Sequence, residues 1–291
     1  MELRVLNYFL MVAREENITR AAALLHITQP TLSRQLMQLE EELGVRLFRR
    51  GRHNIVLTEE GLLLKRRAQE LVALAEKTRQ DFAREEAVTG TVSIGSGELK
   101  GMGVLAEIMT SFRQSCPGVR FDLYSGGADD IKDRIEGGLL DMGLLLEPVE
   151  IGKYDFIRTG TKEEWCALVC ESSPLARKEV LTPRDFLGVP LCMTRRPLAR
   201  GRILEWLGEY ADESSVIAGG NLLYNLAVFV RSSGGAAITI RLDCRYDGMK
   251  YIPLSPELTS DTLLVWKKTQ AFSRATEAFI RHAKEMLTQH F

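Results

Sequence analysis

Five polar side chains with the chemistry of DNA base recognition follow closely after Pro30. They are Thr31, Ser33, Arg34, Gln35 and Gln38. Arginine pairs with guanine edges in the major groove, glutamine pairs with adenine, and hydroxyl groups bond to phosphates or to several bases. The sequence therefore predicts a helix whose polar face reads DNA. For an isolated helix, a polar face that is merely solvated is the alternative.

A basic segment follows this helix along the chain. Two short apolar runs, Leu47–Phe48 and Ile55–Leu57, flank a tip centred on Gly51, which predicts a β-hairpin. The arginines beside this tip are Arg49, Arg50 and Arg52. The whole chain has a net charge of −1, but positions 46 to 67 hold seven basic residues against two acidic ones. A uniformly basic surface is excluded, and a local patch that contacts phosphates is predicted.

Three helices must hold this polar face in place. Apolar residues at positions 6, 9, 10 and 13 predict an amphipathic first helix, and Asn17 is suited to cap a short second one. Thr28 is the expected cap of the third helix, with Pro30 in its first turn and Gly44 at its end. The buried stripe of the third helix consists of Leu32, Leu36, Leu39 and Leu43. With the hairpin, these helices predict a winged helix-turn-helix.

A long helix follows, from a cap at Thr58 to about Glu86, or roughly 40 Å at 1.5 Å per residue. Its apolar residues recur at alternating spacings of four and three, as in a two-helix coiled coil. They are Leu64, Ala68, Leu71, Ala75, Thr78 and Phe82. We expect this stripe to pack against a second copy of the chain, because a small domain cannot cover so long a helix. Packing on the second domain is the alternative. A twofold dimer suits an inverted-repeat site in double-stranded DNA.

From about residue 90 the chain alternates between β-type and helical runs. This alternation predicts an α/β domain with a largely parallel sheet. The β-type runs include Thr91–Ile94, Arg120–Tyr124, Asp141–Leu145 and Gly235–Ile240.

The segment from Asn17 to Gly61 resembles the N-terminal signature of LysR-type transcriptional regulators. The matching stretches are Asn17–Leu36, Leu39–Glu40, Leu43–Gly44, Leu47–Arg50 and Leu57–Gly61. Asn17 stands where the family usually has serine, and both residues cap helices. Looser similarity is found at Phe112–Val119, where Cys116 replaces an aromatic residue, and at Gly137–Gly143, Ser173–Ala176 and Ser232–Ile238.

This resemblance implies a sequence-specific DNA-binding transcriptional regulator that is tuned by a small-molecule effector. It implies a winged helix-turn-helix at residues 1–58, a linker and dimerisation helix at 59–89, and an effector-binding domain at 90–291, in a homodimer or homotetramer. The effector domain would be α/β and two-lobed like periplasmic binding proteins, with lobe 1 at about 91–161 and 265–291 and lobe 2 at about 162–264. The residues predicted to contact DNA are Thr28, Gln29, Pro30, Thr31, Ser33, Arg34, Gln35, Arg49, Arg50 and Arg52.

The turn from Gly95 to Gly101 joins a strand to a helix, where free N–H groups can bind an anion. Lys100 stands where a dinucleotide fingerprint needs glycine, so no nicotinamide cofactor is expected. Four arginines between positions 195 and 202 would suit an anionic effector, unless they are only surface charge. Asn221 is as well suited to cap a helix as to bind a ligand, and Thr194 enters through the family resemblance. The predicted effector-binding residues are Ser96, Gly97, Glu98, Leu99, Lys100, Gly127, Thr194, Arg195 and Asn221.

Other function classes find little support in the sequence. The four histidines have no metal-ligand spacing and no nucleophile elbow is present, so we expect no metal, no cofactor and no catalysis. Cys166 and Cys170 could share a strand face as a redox pair, but buried structural cysteine is commoner. No apolar run is long enough for a membrane helix and the start is a poor signal peptide, so we expect a cytoplasmic protein without membrane contacts. The competing class is an enzyme whose N-terminal helices only dimerise.

Overall fold

The computed structural model describes residues 1–50, 55–81 and 88–289. The chain divides into two compact units, Met1–Ala83 and Arg84–Phe291. Each unit has a hydrophobic core of its own.

Three helices open the first unit, and local caps set their ends. They are α1 (Leu3–Glu15), α2 (Ile18–Leu24) and α3 (Gln29–Leu43). The Asn17 side chain accepts a hydrogen bond from the Arg20 N–H at 3.0 Å, and the Thr28 hydroxyl accepts one from the Thr31 N–H at 3.4 Å. Gly44 ends α3 at a φ of 69°, in the left-handed region that favours glycine. These three predicted caps are confirmed.

The core of the first unit lies between these helices. The apolar residues that α1 buries are Val5, Leu6, Phe9 and Val12. Of the predicted apolar face, Leu6 and Phe9 are buried, and Leu10 is half-buried and packs against the same core. Ala13 is half-buried. On α3, Leu43 is exposed because the last turn extends past the core.

Two short antiparallel strands form the wing. They are β1 (Phe48–Arg50) and β2 (Ile55–Leu57), with Phe48 opposite Leu57. The predicted hairpin strands are confirmed, and the tip at residues 51–54 lies outside the described residues.

The fourth helix, α4 (Glu59–Asp81), begins where the Thr58 hydroxyl accepts a hydrogen bond from the Gly61 N–H at 3.0 Å. Gly61 is required for close packing, since a Cβ there would lie 2.2 Å from the Leu47 carbonyl oxygen. Ala68 of α4 is fully buried in the core formed by α1 and α3. The expectation that the domain cannot cover this stripe was therefore wrong for the first turns of α4, because α1 runs alongside them.

The second unit contains two lobes that share one long strand, β6 (Tyr154–Cys170). The sheet of the first lobe has the order β4-β3-β5-β11-β6. Its other strands are β3 (Gly90–Ser96), β4 (Val119–Ser125), β5 (Met142–Leu146) and β11 (Thr259–Lys267). Helices α5 (Gly101–Ser115) and α9 (Arg274–Gln289) pack on one face of this sheet, and α6 (Ala128–Glu136) packs on the other.

The second lobe is built on the C-terminal part of β6. Its sheet has the order β6-β9-β7-β8, and β10 pairs with β6 as well. The strands are β7 (Leu191–Thr194), β8 (Val216–Gly220), β9 (Ala236–Ile240) and β10 (Met249–Pro253). Alternate residues of β6 face opposite sides: Ala167 packs toward α7 (Pro197–Leu207) and Leu168 toward α8 (Leu223–Ser233).

The expectation of a largely parallel sheet was wrong for the strands that join the lobes. Strands β3, β4 and β5 pair in parallel, as do β7, β8 and β9. In contrast, β6 and β11 are antiparallel to each other, because one leaves the first lobe and the other returns to it. β11 begins at Thr259, and the predicted lobe boundaries near 162 and 265 stay predictions.

Candidate DNA-contact surface and ligand pocket

Arg34 lies on the exposed face of α3, opposite the buried stripe. Leu32, Leu36 and Leu39 face the core, and a rotation of about 100° per residue places Arg34 on the other side. Its side chain is exposed, and among the described residues it has no ion-pair or hydrogen-bond partner. A guanidinium in this position is available to a phosphate or a guanine edge.

The polar residues at the start of α3 are bonded to one another. The hydroxyl groups of Thr28 and Thr31 share a hydrogen bond of 2.8 Å, and the Gln29 amide donates to the Ser33 hydroxyl at 2.8 Å. Thr28, Gln29, Pro30 and Thr31 are exposed, while Ser33 and Gln35 are half-buried. Because the two bonds lie at the surface, they can be exchanged for bonds to DNA at little cost.

Of the predicted wing contacts, Arg49 is exposed on β1. The side chain of Arg50 and the whole of Arg52 lie outside the described residues, so their contacts stay predictions. Arg46, at the base of the wing, donates a hydrogen bond to the Glu40 carboxylate at 2.9 Å.

Glu40 connects α3 to the start of the wing, a role that the sequence did not reveal. Its Oε1 accepts hydrogen bonds from the N–H groups of Leu47 at 2.7 Å and Phe48 at 3.2 Å. Its side chain is only 11% exposed. The three consecutive acids at positions 40 to 42 suggested only a charged helix end, and no local spacing indicates that one of them ties α3 to the wing.

A cavity of about 140 Å³ lies between the two lobes of the second unit. Leu99, Ile131 and Leu146 line it from the first lobe, and Ala199 and Ile240 from the second. A dry cavity of about 150 Å³ holds benzene, so this volume suits a molecule of about one aromatic ring. The walls favour a ligand with an apolar body.

The structure brings most of the predicted effector-binding residues to this cavity. Those at its wall are Gly97, Glu98, Leu99, Gly127, Thr194, Arg195 and Asn221. Two do not reach it. The Ser96 hydroxyl donates to the neighbouring Gly97 carbonyl at 2.8 Å, and the Lys100 ammonium lies 3.7 Å from the Asp243 carboxylate.

Polar contacts cross the cavity and hold the lobes together. The Glu98 carboxylate accepts a hydrogen bond of 2.6 Å from the Leu223 N–H at the start of α8. In the other direction, the Arg196 guanidinium donates to the carbonyl oxygens of Leu146 and Pro148, at 3.0 Å each. Burial lowers the pKa of Arg196. The Arg196 guanidinium is thus already hydrogen-bonded within the protein, whereas Arg195 is exposed and has no partner among the described residues.

Glu163 changes the interpretation of the turn before α5. It is fully buried, and its Oε1 accepts a hydrogen bond from the Gly101 N–H at 2.8 Å. Burial raises the pKa of this carboxyl group. At the expected anion site, the Gly101 N–H is therefore already bonded to a side chain of the protein. This contact links positions 62 residues apart.

The chemistry of the cysteines favours a structural role. Cys166 is buried, and burial raises its pKa to about 12, so the reactive thiolate is strongly disfavoured. No group of three metal-ligating side chains occurs within the described ranges. None of the helices in those ranges is both long enough and apolar enough to cross a bilayer.

Comparison with known proteins assigns both units. Residues 85–288 match the family described as "LysR substrate binding domain", and residues 3–62 match "Bacterial regulatory helix-turn-helix protein, lysR family". The HTH-type transcriptional regulator YybE of Bacillus subtilis (strain 168) is 28% identical over 297 residues, which cover 100% of this chain and 99% of that protein. The Hca operon transcriptional activator HcaR of Escherichia coli (strain K12) is 26% identical over 99% of this chain and 98% of its own length.

Solved structures show the same fold. The crystal structure of CbnR, a LysR family transcriptional regulator, matches with a TM-score of 0.75 at 19% identity, over 98% of this chain and 99% of that one. Full-length CbnR complexed with its target DNA matches with a TM-score of 0.72 at 20% identity, over 98% and 99% of the two chains.

Proposed function

The chain belongs to the LysR family of DNA-binding transcriptional regulators, and from this premise we propose how it reads DNA and what it senses. It is a regulator with an effector-binding domain and not an enzyme. The exposed face of α3 enters the major groove, and the wing arginines contact the phosphate backbone. The residues assigned to DNA are Thr28, Gln29, Pro30, Thr31, Ser33, Arg34, Gln35, Arg49, Arg50 and Arg52.

One observation carries this assignment. Arg34 is an exposed guanidinium without a described partner, and it lies between hydroxyl and amide side chains on one helix face. An unpaired arginine on such a face suits a bidentate contact with guanine, which contributes about 1–3 kcal/mol of discrimination.

Replacing Arg34 tests this assignment. Arg34→Ala should lower the affinity for a selected operator by roughly 10- to 100-fold and leave binding to random duplexes nearly unchanged. Fluorescence anisotropy with both duplexes measures the two affinities. Arg113→Ala, an exposed arginine of α5 in the second unit, serves as the matched control and should change neither. Equal losses on both duplexes would mean that Arg34 contacts only phosphate.

For the effector, we propose a small molecule with an apolar body and one acidic group. The apolar walls and the volume of about 140 Å³ support the first part. Arg195 supports the second, since it borders the cavity and has no partner among the described residues. The charge of Glu98 is offset by its bond to the N-terminus of α8.

A thermal-shift screen of the full-length protein tests the effector class. Single-ring carboxylates should raise the melting temperature of the second unit, while the corresponding amides should not, because a ligand that binds only the folded state stabilises it. Arg195→Gln should abolish the shift, and Arg184→Gln, an exposed arginine away from the cavity, should keep it. Stabilisation by the amides, or by the carboxylates in Arg195→Gln, would contradict an anionic effector held by Arg195.

We propose that the effector acts by shifting a conformational population. A ligand between the lobes competes with or reinforces the Glu98 and Arg196 contacts that cross the cavity, and so changes the lobe arrangement. The bend of the bound DNA would then change with it. Identical footprints with and without a verified effector would exclude this mechanism.

A further inference from the structure

Met37 is an exposed apolar residue in the middle of α3. The other large apolar residues before the last turn of this helix are Leu32, Leu36 and Leu39, and all three are buried. Met37 is 56% exposed and has no place in the core of the first unit. A single exposed methionine is not unusual on a protein surface, so its position must define its role.

The position of Met37 is on the face assigned to DNA. It follows Ser33 by four residues and Arg34 by three, the two spacings that put side chains on one side of a helix. It lies about 4.5 Å beyond Arg34 along the helix axis, a little more than one base-pair step of about 3.4 Å. A helix that presents Arg34 to one base pair therefore presents Met37 to the next.

The neighbours of Met37 favour DNA over a protein partner. Its neighbours on the helix surface are Arg34 and Glu41, which are exposed, and Ser33 and Glu40, which are half-buried, and all four are polar. The next exposed apolar residue on α3 is Leu43, six positions further along, or about 9 Å. A protein docking surface needs a contiguous apolar patch, and one methionine among polar groups does not provide it. In the major groove, the one apolar group on a base edge is the C5 methyl of thymine.

We propose that Met37 contacts the C5 methyl of one thymine in each half-site and thereby selects thymine at that position. This inference rests on the proposed role of α3 in reading DNA. Glu41, one turn beyond Met37, carries a negative charge that repels the phosphates, so Met37 lies near the end of the reading face.

Removing the methyl group from the DNA tests the contact directly. Duplexes bound by the full-length protein are first selected from a random library, and each thymine of the preferred site is then replaced in turn by deoxyuridine. At one position in each half-site, the loss of the methyl should lower wild-type affinity about fourfold, the effect expected for one buried methyl or methylene group. Met37→Ala should bind the thymine and uracil duplexes equally at that position.

Two further variants complete the test. Met37→Leu keeps an apolar side chain of similar volume and should retain the preference for thymine. Gln38→Ala changes the adjacent polar residue and should retain it as well. If Met37→Ala discriminates between thymine and uracil as the wild type does, or if no thymine matters to the wild type, the proposal is wrong while DNA binding stands. If the selection enriches no sequence, the DNA-reading role of α3 fails along with it.

Discussion

Glu163 is a buried carboxyl group on the strand shared by both lobes, and it binds the first N–H group of α5. Burial raises its pKa above the ordinary value of glutamic acid. The folded state therefore holds this proton more tightly than the unfolded state does. Its contribution to stability is largest at low pH and is lost as the pH rises through the raised pKa.

Replacing Glu163 by an uncharged isostere should remove this pH dependence. Glu163→Gln keeps an oxygen for the Gly101 N–H and has no charge to bury. Between about pH 5 and about pH 8, the melting temperature of the second unit should fall less in Glu163→Gln than in the wild type. The control is Glu164→Gln, a change at the exposed neighbouring position, and this variant should behave as the wild type. Superimposable pH profiles for Glu163→Gln and wild type would contradict the raised pKa.

The sequence predicted which side chains have the right chemistry, but not which of them are already engaged. Arg195 and Arg196 are equivalent in the sequence, yet only Arg196 binds the carbonyl groups of Leu146 and Pro148. Arg202 likewise donates to the Ser260 hydroxyl at 3.2 Å. These contacts join residues some 50 positions apart, so no local pattern could indicate them.

Among the elements, the wing depends on α3 through Glu40. One carboxylate oxygen accepts hydrogen bonds from the N–H groups of Leu47 and Phe48, and the other accepts one from Arg46. Since an unsatisfied N–H group is costly away from water, Glu40 fixes the start of β1 relative to the helix that reads DNA.

Loss of this carboxylate should loosen the wing locally. In Glu40→Ala, the Leu47 and Phe48 amides should exchange hydrogen about 30-fold faster, corresponding to about 2 kcal/mol of local stability. Hydrogen–deuterium exchange with mass spectrometry resolves the segment. Glu41→Ala is the matched control, because Glu41 is exposed one residue further on. Unchanged protection in Glu40→Ala would show that β1 is held by other contacts.

The helix caps, the wing strands and the alternation of strands and helices in the α/β domain could be predicted from the sequence, because each depends on local chemistry. Asn17 and Thr28 bond within three residues, as capping requires. The sequence could not show which part of the α4 stripe is buried in the first unit and which part stays exposed. Leu64 and Ala68 pack into the first unit, whereas Leu71 stays exposed, although all three belong to one continuous stripe. Which turns α1 covers depends on how the helices cross.

At the scale of the whole molecule, the exposed part of α4 is the surface we assign to dimerisation. Leu71 belongs to the predicted coiled-coil seam and is 40% exposed, and Leu74, which is 37% exposed, lies one turn further on beside Ala75 of that seam. We expect a second copy of α4 to cover these leucines.

Charges placed on this seam should separate the protomers. The double variant Leu71→Glu/Leu74→Glu should weaken the dimer at least about tenfold, since each buried leucine contributes about 1.5–3 kcal/mol. Sedimentation velocity measures the change. Val180→Glu, an exposed apolar residue of the second unit, is the control and should leave the dimer intact. A double variant that sediments as the wild type would place the interface elsewhere.

The most direct test of the whole account is a salt titration of DNA binding. Full-length protein is used to select fragments of genomic DNA at about 50 mM salt, and an enriched fragment is compared with its scrambled sequence. Affinity for both should fall by about a thousandfold or more between about 50 and 200 mM salt, as expected for six or more phosphate contacts, with the preference for the enriched fragment retained. Failure to retain any fragment at the lowest salt would contradict the claim that α3 and the wing bind DNA.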